Sequence, residues 1–384
     1  MLINIFFWTI VLIIIHSYLI YPGVIFLLSH LFKGNKNPSD SANTVSIIIS
    51  AYNEEKVIRN RIINISRLNY DFNKLEVLIG SDCSTDQTNN ILNEMKKEFP
   101  WLLIFLFDSR RGKVSVINDL IAKAKNEIIV FTDANTVFNE NAIKRLVRQF
   151  GDQKIGGVCG RLILLEPKTN IDEGVEEKRY WEYETIIKKY EGKCGVLIGA
   201  NGGIFAIRRK LYRKLPINKP ITDDIFITLM ILKQNYKFSY EYDAFAIEDV
   251  GHEIIHEFNR KKRFSATNFE TMFYFKDLIF SRNFLVSYAF WSHKILRWMT
   301  PIFLMIIFFL NILLLSGIIF QIILYIQILF YSLSFIGFLK RKAKFKSKVF
   351  TIPFYFSMTN FAMLIGMINF ILKRQTAYWQ STPR

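Results

Sequence analysis

Cysteine is scarce in this 384-residue chain: Cys83, Cys159 and Cys194 are odd in number and widely spaced. That excludes a disulfide framework and any paired-cysteine metal site, and it suits a reducing cytosol with free interior thiols. Acidic residues are also short, since 33 Asp and Glu against 50 Lys and Arg leave a formal charge of +17. No nucleic-acid-binding motif accompanies the excess. An anionic leaflet, where each basic residue near the surface contributes roughly 1 kcal/mol, and a phosphate-bearing substrate are the partners it suggests. Charge of either sign is almost missing from residues 2–32 and 301–338. Each run exceeds the roughly 20 residues a bilayer span requires, and the second reads as two helices turning near Ser316 and Gly317. Residues 349–372 form another run of sufficient length.

No Lys or Arg precedes the first run and no small-residue cleavage site follows it, so the expectation is a retained helix, not a signal peptide. Lys33 and Lys36 come next, and the positive-inside rule puts the following domain in the cytoplasm, with the basic loop 340–348 on the same side. A full crossing by 349–372 would carry Lys373 and Arg374 outside, so a re-entrant or interfacially tilted segment is expected there. The chain is read as an integral membrane protein of the cytoplasmic membrane with a soluble domain.

Residues 33–44, "KGNKNPSDSANT", are polar with Gly and Pro and read as a linker. Short apolar, β-branched runs at 45–49, 75–80, 102–107 and 127–131 read as buried strands. Between them, 54–68, 85–98 and 112–125 have helical spacing, with Val57, Ile58, Ile62, Ile65 and Leu68 on one face of the first. Strands buried on both faces and alternating with amphipathic helices imply a parallel sheet in an α/β fold, where ligands bind beyond the carboxyl ends of the strands. Those ends carry "SAYNEE" (50–55), "SDCSTDQT" (81–88) and "TDAN" (132–135). Asp86 alone is a good helix cap before Gln87. Carboxylates on three of these strand ends, however, would repel unless a cation or hydrogen-bond donors met them.

In this order and spacing, "VSIIISAYNEE", "SDCSTDQT", "RGKVSVIND" and "FTDAN" resemble the nucleotide-sugar-binding half of the family 2 glycosyltransferases. This family has a GT-A fold and includes membrane-bound synthases of cellulose, chitin and hyaluronan. The resemblance continues through "IGANGGIFAIRR", "TDDIFITLMIL", "FNRKKRFSATN", "SHKILRW" and the tail "KRQTAYWQSTPR". It implies a GT-A (Rossmann-like) domain over 45–250, interfacial helices over 251–298, further membrane helices over 299–372 and a cytosolic tail over 373–384.

The resemblance also implies roles. Tyr52, Glu54 and Asp82 would hold the nucleoside, with a carboxylate accepting the imide hydrogen of uracil, hence a UDP-linked donor. Lys113 would lie near base and phosphates. Asp133 matches the first carboxylate of the D-x-D motif that binds Mg2+ or Mn2+ at the diphosphate, and Asn135 replaces the second. Such a cation takes one or two carboxylates and keeps several waters, so the pair is a feasible metal site. "TDD" matches the Thr-Glu-Asp motif, making Asp224 the base, with Asp223 beside it. "RKKR" keeps Arg263 of the Gln-x-x-Arg-Trp segment but has Arg260 for Gln and Phe264 for Trp, which argues against long processive polymerisation. Gly199, Asn201 and Gly202 match the acceptor-side loop. Trp379, Thr382 and Arg384 resemble a tail loop that enters the nucleotide site.

These residues predict an inverting glycosyltransferase acting on a saccharide acceptor for cell-surface or exopolysaccharide synthesis, with a homo-oligomer or export partner compatible with so few membrane helices. A polyprenyl phosphate or other lipid is the alternative acceptor, and an inactive nucleotide-sugar receptor is the non-enzymatic one. "HEIIH" (252–256) also satisfies the zinc-protease pattern, with His252 and His256 as ligands, Glu253 as base and Glu270 as the best third ligand. Proteolysis would leave the nucleotide-binding half unexplained.

Overall fold

The computed structural model describes residues 1–32, 43–165, 172–249, 254–340 and 347–375, with the backbone alone for 172–177. Two compact units emerge. One comprises Met1–Val24, Glu166–Tyr183 and Gly251–Gln375; the other comprises Ile25–Leu165, Glu184–Val250 and Thr376–Arg384.

The second unit is built on an eight-stranded sheet: β1 (Val45–Ala51), β2 (Leu75–Asp82), β3 (Leu102–Phe107), β4 (Ile128–Phe131), β5 (Val137–Phe138), β6 (Ile155–Leu165), β7 (Phe205–Arg208) and β8 (Lys237–Asp249), in spatial order β3-β2-β1-β4-β7-β6-β8-β5. The first four strands run parallel, as their alternation with helices predicts. Beyond β4 the sheet is mixed: β7 is antiparallel to both β4 and β6, β6 and β8 are parallel, and β5 returns antiparallel on β8. The sheet is therefore only half as regular as the parallel reading implies. β7 runs against both of its neighbours even though the chain between β6 and β7 carries the helix Asp172–Cys194.

Val45, Ile47, Ile48 and Ile49 of β1 and all of Ile128–Phe131 are buried, each such side chain worth roughly 1.5–3 kcal/mol on burial. The helix Lys113–Lys123 lies so close over β2 that a Cβ on Gly80 would meet Val116 Cγ1 at 2.5 Å. Helices begin later than periodicity suggests, at Ile58 and Thr88. The preceding residues form a clasp between two strand-end loops. Asn53, with φ +53°, accepts Thr85 N (2.9 Å), and Glu54 N and Glu55 N donate to Thr88 Oγ1 (2.8 Å) and Asp86 Oδ2 (3.1 Å). Asp86 also takes Thr88 N at 3.0 Å, from one residue ahead of the N-cap Gln87, whose own side chain makes no capping bond.

The first unit is helical. Leu2–Leu31, Ile318–Leu339 and Lys348–Ile371 are each long and apolar enough to cross a membrane; Phe284–Trp298 and Thr300–Leu313, bent by 61°, form a further candidate if taken together. Phe7 and Ile10 bury against Ile307 and Phe320. Gly366 lets the Lys348–Ile371 helix touch the backbone of Lys262, where any Cβ would clash with the Lys262 carbonyl. That helix is continuous, and the sharp bend among the apolar segments falls beside Met299.

Candidate active site

Three strand ends of the second unit set out the acidic groups. At the end of β2, Asp82 is buried. Its Oδ1 accepts Arg111 N at 2.7 Å, and its Oδ2 accepts Gly112 N at 2.9 Å and faces Arg110 Nε at 3.2 Å. Gly112 supplies the turn with φ +81°, a conformation costly for other residues. The Arg110 guanidinium lies over the Tyr52 ring, 3.0 Å from its centroid. Glu54 is buried in the adjoining clasp.

Beyond Gly112 the chain turns helical, and Lys113 reaches across to β4. Its Nζ lies 2.9 Å from Asp133 Oδ1 and 3.0 Å from Asp223 Oδ2. Burial alone would lower the pKa of this ammonium, but the two carboxylates outweigh it and hold the group firmly charged. Behind Asp133 the loop is fixed by hydroxyls. Thr132 Oγ1 donates to Gly203 O (2.8 Å) and accepts from Arg61 Nη2 (2.9 Å), while Thr136 Oγ1 donates to Asp133 O (3.0 Å). Arg61 is buried against Phe138; desolvation lowers its pKa to about 9, with Asp133 partly opposing the change. Asn135 Nδ2 donates to Glu248 Oε1 at 2.9 Å.

Asp223 and Asp224 open the helix Asp223–Lys233. A Cβ placed on Gly202 would lie 3.3 Å from Asp224 Oδ2 and 3.7 Å from Asp133 Oδ2, so the two carboxylates flank the small space that this glycine leaves open. Asp224 has its pKa raised to about 6 by burial and by Asp223, against the opposing pull of Lys188, Lys113 and Ile225 N. Asn201 is buried. Its Oδ1 takes Lys188 Nζ (2.5 Å) and its Nδ2 donates to Gly160 O (2.7 Å), so its amide shapes the loop on which Gly199, with φ +89°, and Gly202 sit. Thr228 joins loop and helix, accepting Ala200 N (3.0 Å) and donating to Asp224 O (2.7 Å).

The structure thus brings together Lys113, Asp133, Asp223, Asp224 and Gly202, with Asp82 and Tyr52 joined separately through Arg110. Arg260 and Arg263 belong to the helical unit, on the helix Ile254–Tyr274, where Arg260 pairs with Glu257 (2.5 Å) and Arg263 lies over Phe264. Trp379, Thr382 and Arg384, and also His252 and Glu253 of the protease pattern, lie outside the described residues. Sequence reasoning passed over Arg61, Arg110, Lys188 and Glu248. Lys188 left a readable sign: Glu184, Lys188 and Glu191 recur at helical spacing, and all three are buried.

Among the described residues no group of three or more His, Cys, Asp or Glu is placed to hold a metal by itself. Asp133 Oδ2, beside the open space at Gly202, is a carboxylate oxygen of the kind that Mg2+ or Mn2+ accept, since these ions take few protein ligands and complete their shell with water and phosphate oxygens.

Residues 46–215 match the family model described as Glycosyl transferase family 2. Over 204 residues the chain is 28% identical to the "Probable glycosyltransferase YdaM" of Bacillus subtilis (strain 168), covering 50% of this chain and 47% of that protein. Over 218 residues it is 24% identical to the poly-beta-1,6-N-acetyl-D-glucosamine synthase of Staphylococcus aureus (strain COL), covering 54% and 51%. The chain thus spans about half the length of the relatives it matches. In fold it is similar to the mannosyltransferase PcManGT of Pyrobaculum calidifontis, solved in complex with GDP-Man and Mn2+, with a TM-score of 0.73 at 16% identity over 95% of this chain and 99% of that one. Residues 46–215 thus match glycosyl transferase family 2, on a sheet of GT-A-like fold.

Proposed function

We propose that this protein is an inverting, divalent-cation-dependent glycosyltransferase of the cytoplasmic membrane. It takes a sugar from a UDP-linked donor and passes it to a saccharide acceptor for surface polysaccharide synthesis. The observation that carries the reading is the pairing of Asp133 and Asp224 across the Gly202 gap, with Lys113 alongside Asp133. Asp224 removes the proton of the acceptor hydroxyl as that oxygen attacks the anomeric carbon from the face opposite the diphosphate. The C–O bond to the diphosphate breaks and configuration inverts. A carboxylate with a pKa raised to about 6 is ionised at neutral pH and a stronger base than an ordinary one.

Lys113 stabilises the negative charge growing on the leaving diphosphate, from a position that needs little reorganisation. Asp133 and the Asn135 amide oxygen would hold the cation, which supplies further neutralisation of the diphosphate. Asp82 commits two of its roughly four lone-pair positions to the amides of Arg111 and Gly112 and pairs electrostatically with Arg110, leaving acceptor capacity for the imide N–H of uracil. Tyr52 and Glu54 complete the nucleoside side. Gly199, Asn201, Gly202 and Asp223 form the acceptor side. By the family resemblance alone, Arg260 and Arg263 are assigned to donor binding and Trp379, Thr382 and Arg384 to a tail loop. The apolar helices favour a membrane setting, and Lys33 and Lys36 a cytoplasmic catalytic domain.

The test is nucleoside diphosphate release by the full chain in nanodiscs with Mn2+, across UDP-sugars and GDP-mannose, beside Asp133→Ala and Asp224→Asn. Release with a UDP-sugar, lost in both variants, supports the reading. Release from GDP-mannose alone overturns the assignment of Asp82 to uracil, and product that partitions into organic solvent replaces the saccharide acceptor with a lipid. Failure to bind any donor removes the proposal altogether.

A further inference from the structure

Asn135 stands where a second carboxylate is expected, and the topology shows what it faces. The chain leaves β4 at Phe131, passes Asp133 and Asn135 and re-enters the sheet as β5, pairing antiparallel with β8 in the register Val137↔Ile247. Continuing that register backwards by one residue on β5 brings the loop alongside Glu248, and the Asn135 side chain meets it, Nδ2 to Oε1, at 2.9 Å. An amide can turn either end to a neighbour, but an ionised carboxylate only accepts. Beside an ionised Glu248 the Nδ2 end is held on the glutamate, which leaves Oδ1, the end able to ligate a cation, turned away from that carboxylate. A carboxylate at position 135 would instead set two like charges at hydrogen-bonding distance.

We infer that Glu248 is a positioning residue for the cation site. It fixes the orientation of Asn135 so that Oδ1 faces the diphosphate-bound metal, and asparagine stands at 135 because Glu248 occupies the neighbouring position. This rests on the reading of Asp133 and Asn135 as metal ligands and goes beyond it by assigning Glu248, the direction of the amide and the reason for the altered motif.

The experiment is Mn2+ titration of the full chain in nanodiscs, followed by the free-Mn2+ electron paramagnetic resonance signal, with UDP and with GDP. Partners that orient ligands typically cost 10–100-fold in metal affinity when removed. Glu248→Gln, whose amide can accept or donate and so releases the flip, is expected to weaken Mn2+ binding about tenfold. Asn135→Ala should weaken it as much, and adding Glu248→Gln to Asn135→Ala should change nothing more, because the glutamate acts through the asparagine. Asn135→Asp alone should gain nothing, whereas Asn135→Asp with Glu248→Gln should bind more tightly than either single variant.

Unchanged affinity in Glu248→Gln, additive losses in the Asn135→Ala pair, or tighter binding by Asn135→Asp alone would each overturn the assignment. Thermal melting of each variant identifies any that is unfolded, and Glu248→Asp then serves as the second variant, expected to keep the orientation but loosen it. If the protein binds no Mn2+ with either nucleotide yet still releases nucleoside diphosphate from a donor, this inference falls and the transferase reading stands. Mn2+ binding that follows the predicted pattern without release from any donor has the opposite meaning.

Discussion

At the end of β2, Asp82 is held by two backbone amides and an arginine; at the end of β4, Asp133 is held by the ammonium of Lys113, which it shares with Asp223. Both are acidic strand ends, but their partners differ in mobility. Backbone donors cannot leave without unmaking the turn at Gly112, so much of Asp82's bonding capacity is committed to the fold. The ammonium rides on a flexible stem and can be exchanged for a metal ion or follow a phosphate. One carboxylate therefore shapes the pocket and the other is available to chemistry, although the sequence presents them alike.

The strongest test of that division is Asp224→Asn, which should lower transfer by about 10²–10⁴-fold, the range for a positioned base, while raising the melting temperature at pH 8. The sign follows from linkage. Folding raises the pKa from 3.8 to about 6, so the folded state binds the proton more tightly and stability falls as pH rises between those values, remaining lower above them. Removing the charge recovers that stability. Activity at different pH and calorimetry of the two proteins check both signs, and a variant that loses activity and stability together at pH 8 would place Asp224 with Asp82, among the acids that support the fold.

Next in size is Gly202→Ala. The added methyl would stand 3.3 Å from Asp224 Oδ2 and 3.7 Å from Asp133 Oδ2, in the space assigned to the reacting sugar. Displacements near 1 Å in such sites can cost about 10²-fold, so transfer should fall by up to that factor with little change in melting. Asp82→Asn and Lys113→Met then separate the two strand ends directly. The first replaces an acceptor-only group that takes two amide donors and should cost roughly 1–3 kcal/mol of stability. The second leaves Asp133 and Asp223 without their shared cation. Its melting loss at neutral pH should be largely restored by millimolar Mn2+, whereas that of Asp82→Asn should not respond to the metal.

Why the sequence revealed some of this and not the rest is visible in particular residues. The parallel strands were legible because both faces of β1 and β4 are buried and their runs are uninterrupted. Asp133 and Asp224 were legible because ordered motifs surround them. The mixed half was not: β7 is four residues long and reads only as part of a loop motif, and β5 has two. Arg61, Lys188 and Glu248 stayed hidden because each acts through a partner distant in sequence, at Thr132, Asn201 and Asn135. Local spacing reports a face or a cap; it does not report which distant side chain a buried charge will meet.

The smallest expected effect concerns Lys188. Asp224 faces Asp223 on its own helix, Lys113 on the helix after Gly112, Lys188 on Asp172–Cys194, Cys159 on β6 and Asp133 across Gly202. Of these, the two lysines favour its ionised form. Lys113 also serves the diphosphate, so its removal disturbs donor binding; Lys188 is buried behind Asn201 and touches the reaction only through charge and loop position. Lys188→Met should therefore move the acid limb of kcat/KM, expected near pH 6, to higher pH by less than about one unit, a difference worth under ~1.4 kcal/mol. A lysine that merely props up the loop would lower the plateau without moving the limb, and Lys188→Arg, which keeps the charge, should restore the limb even if the plateau stays low.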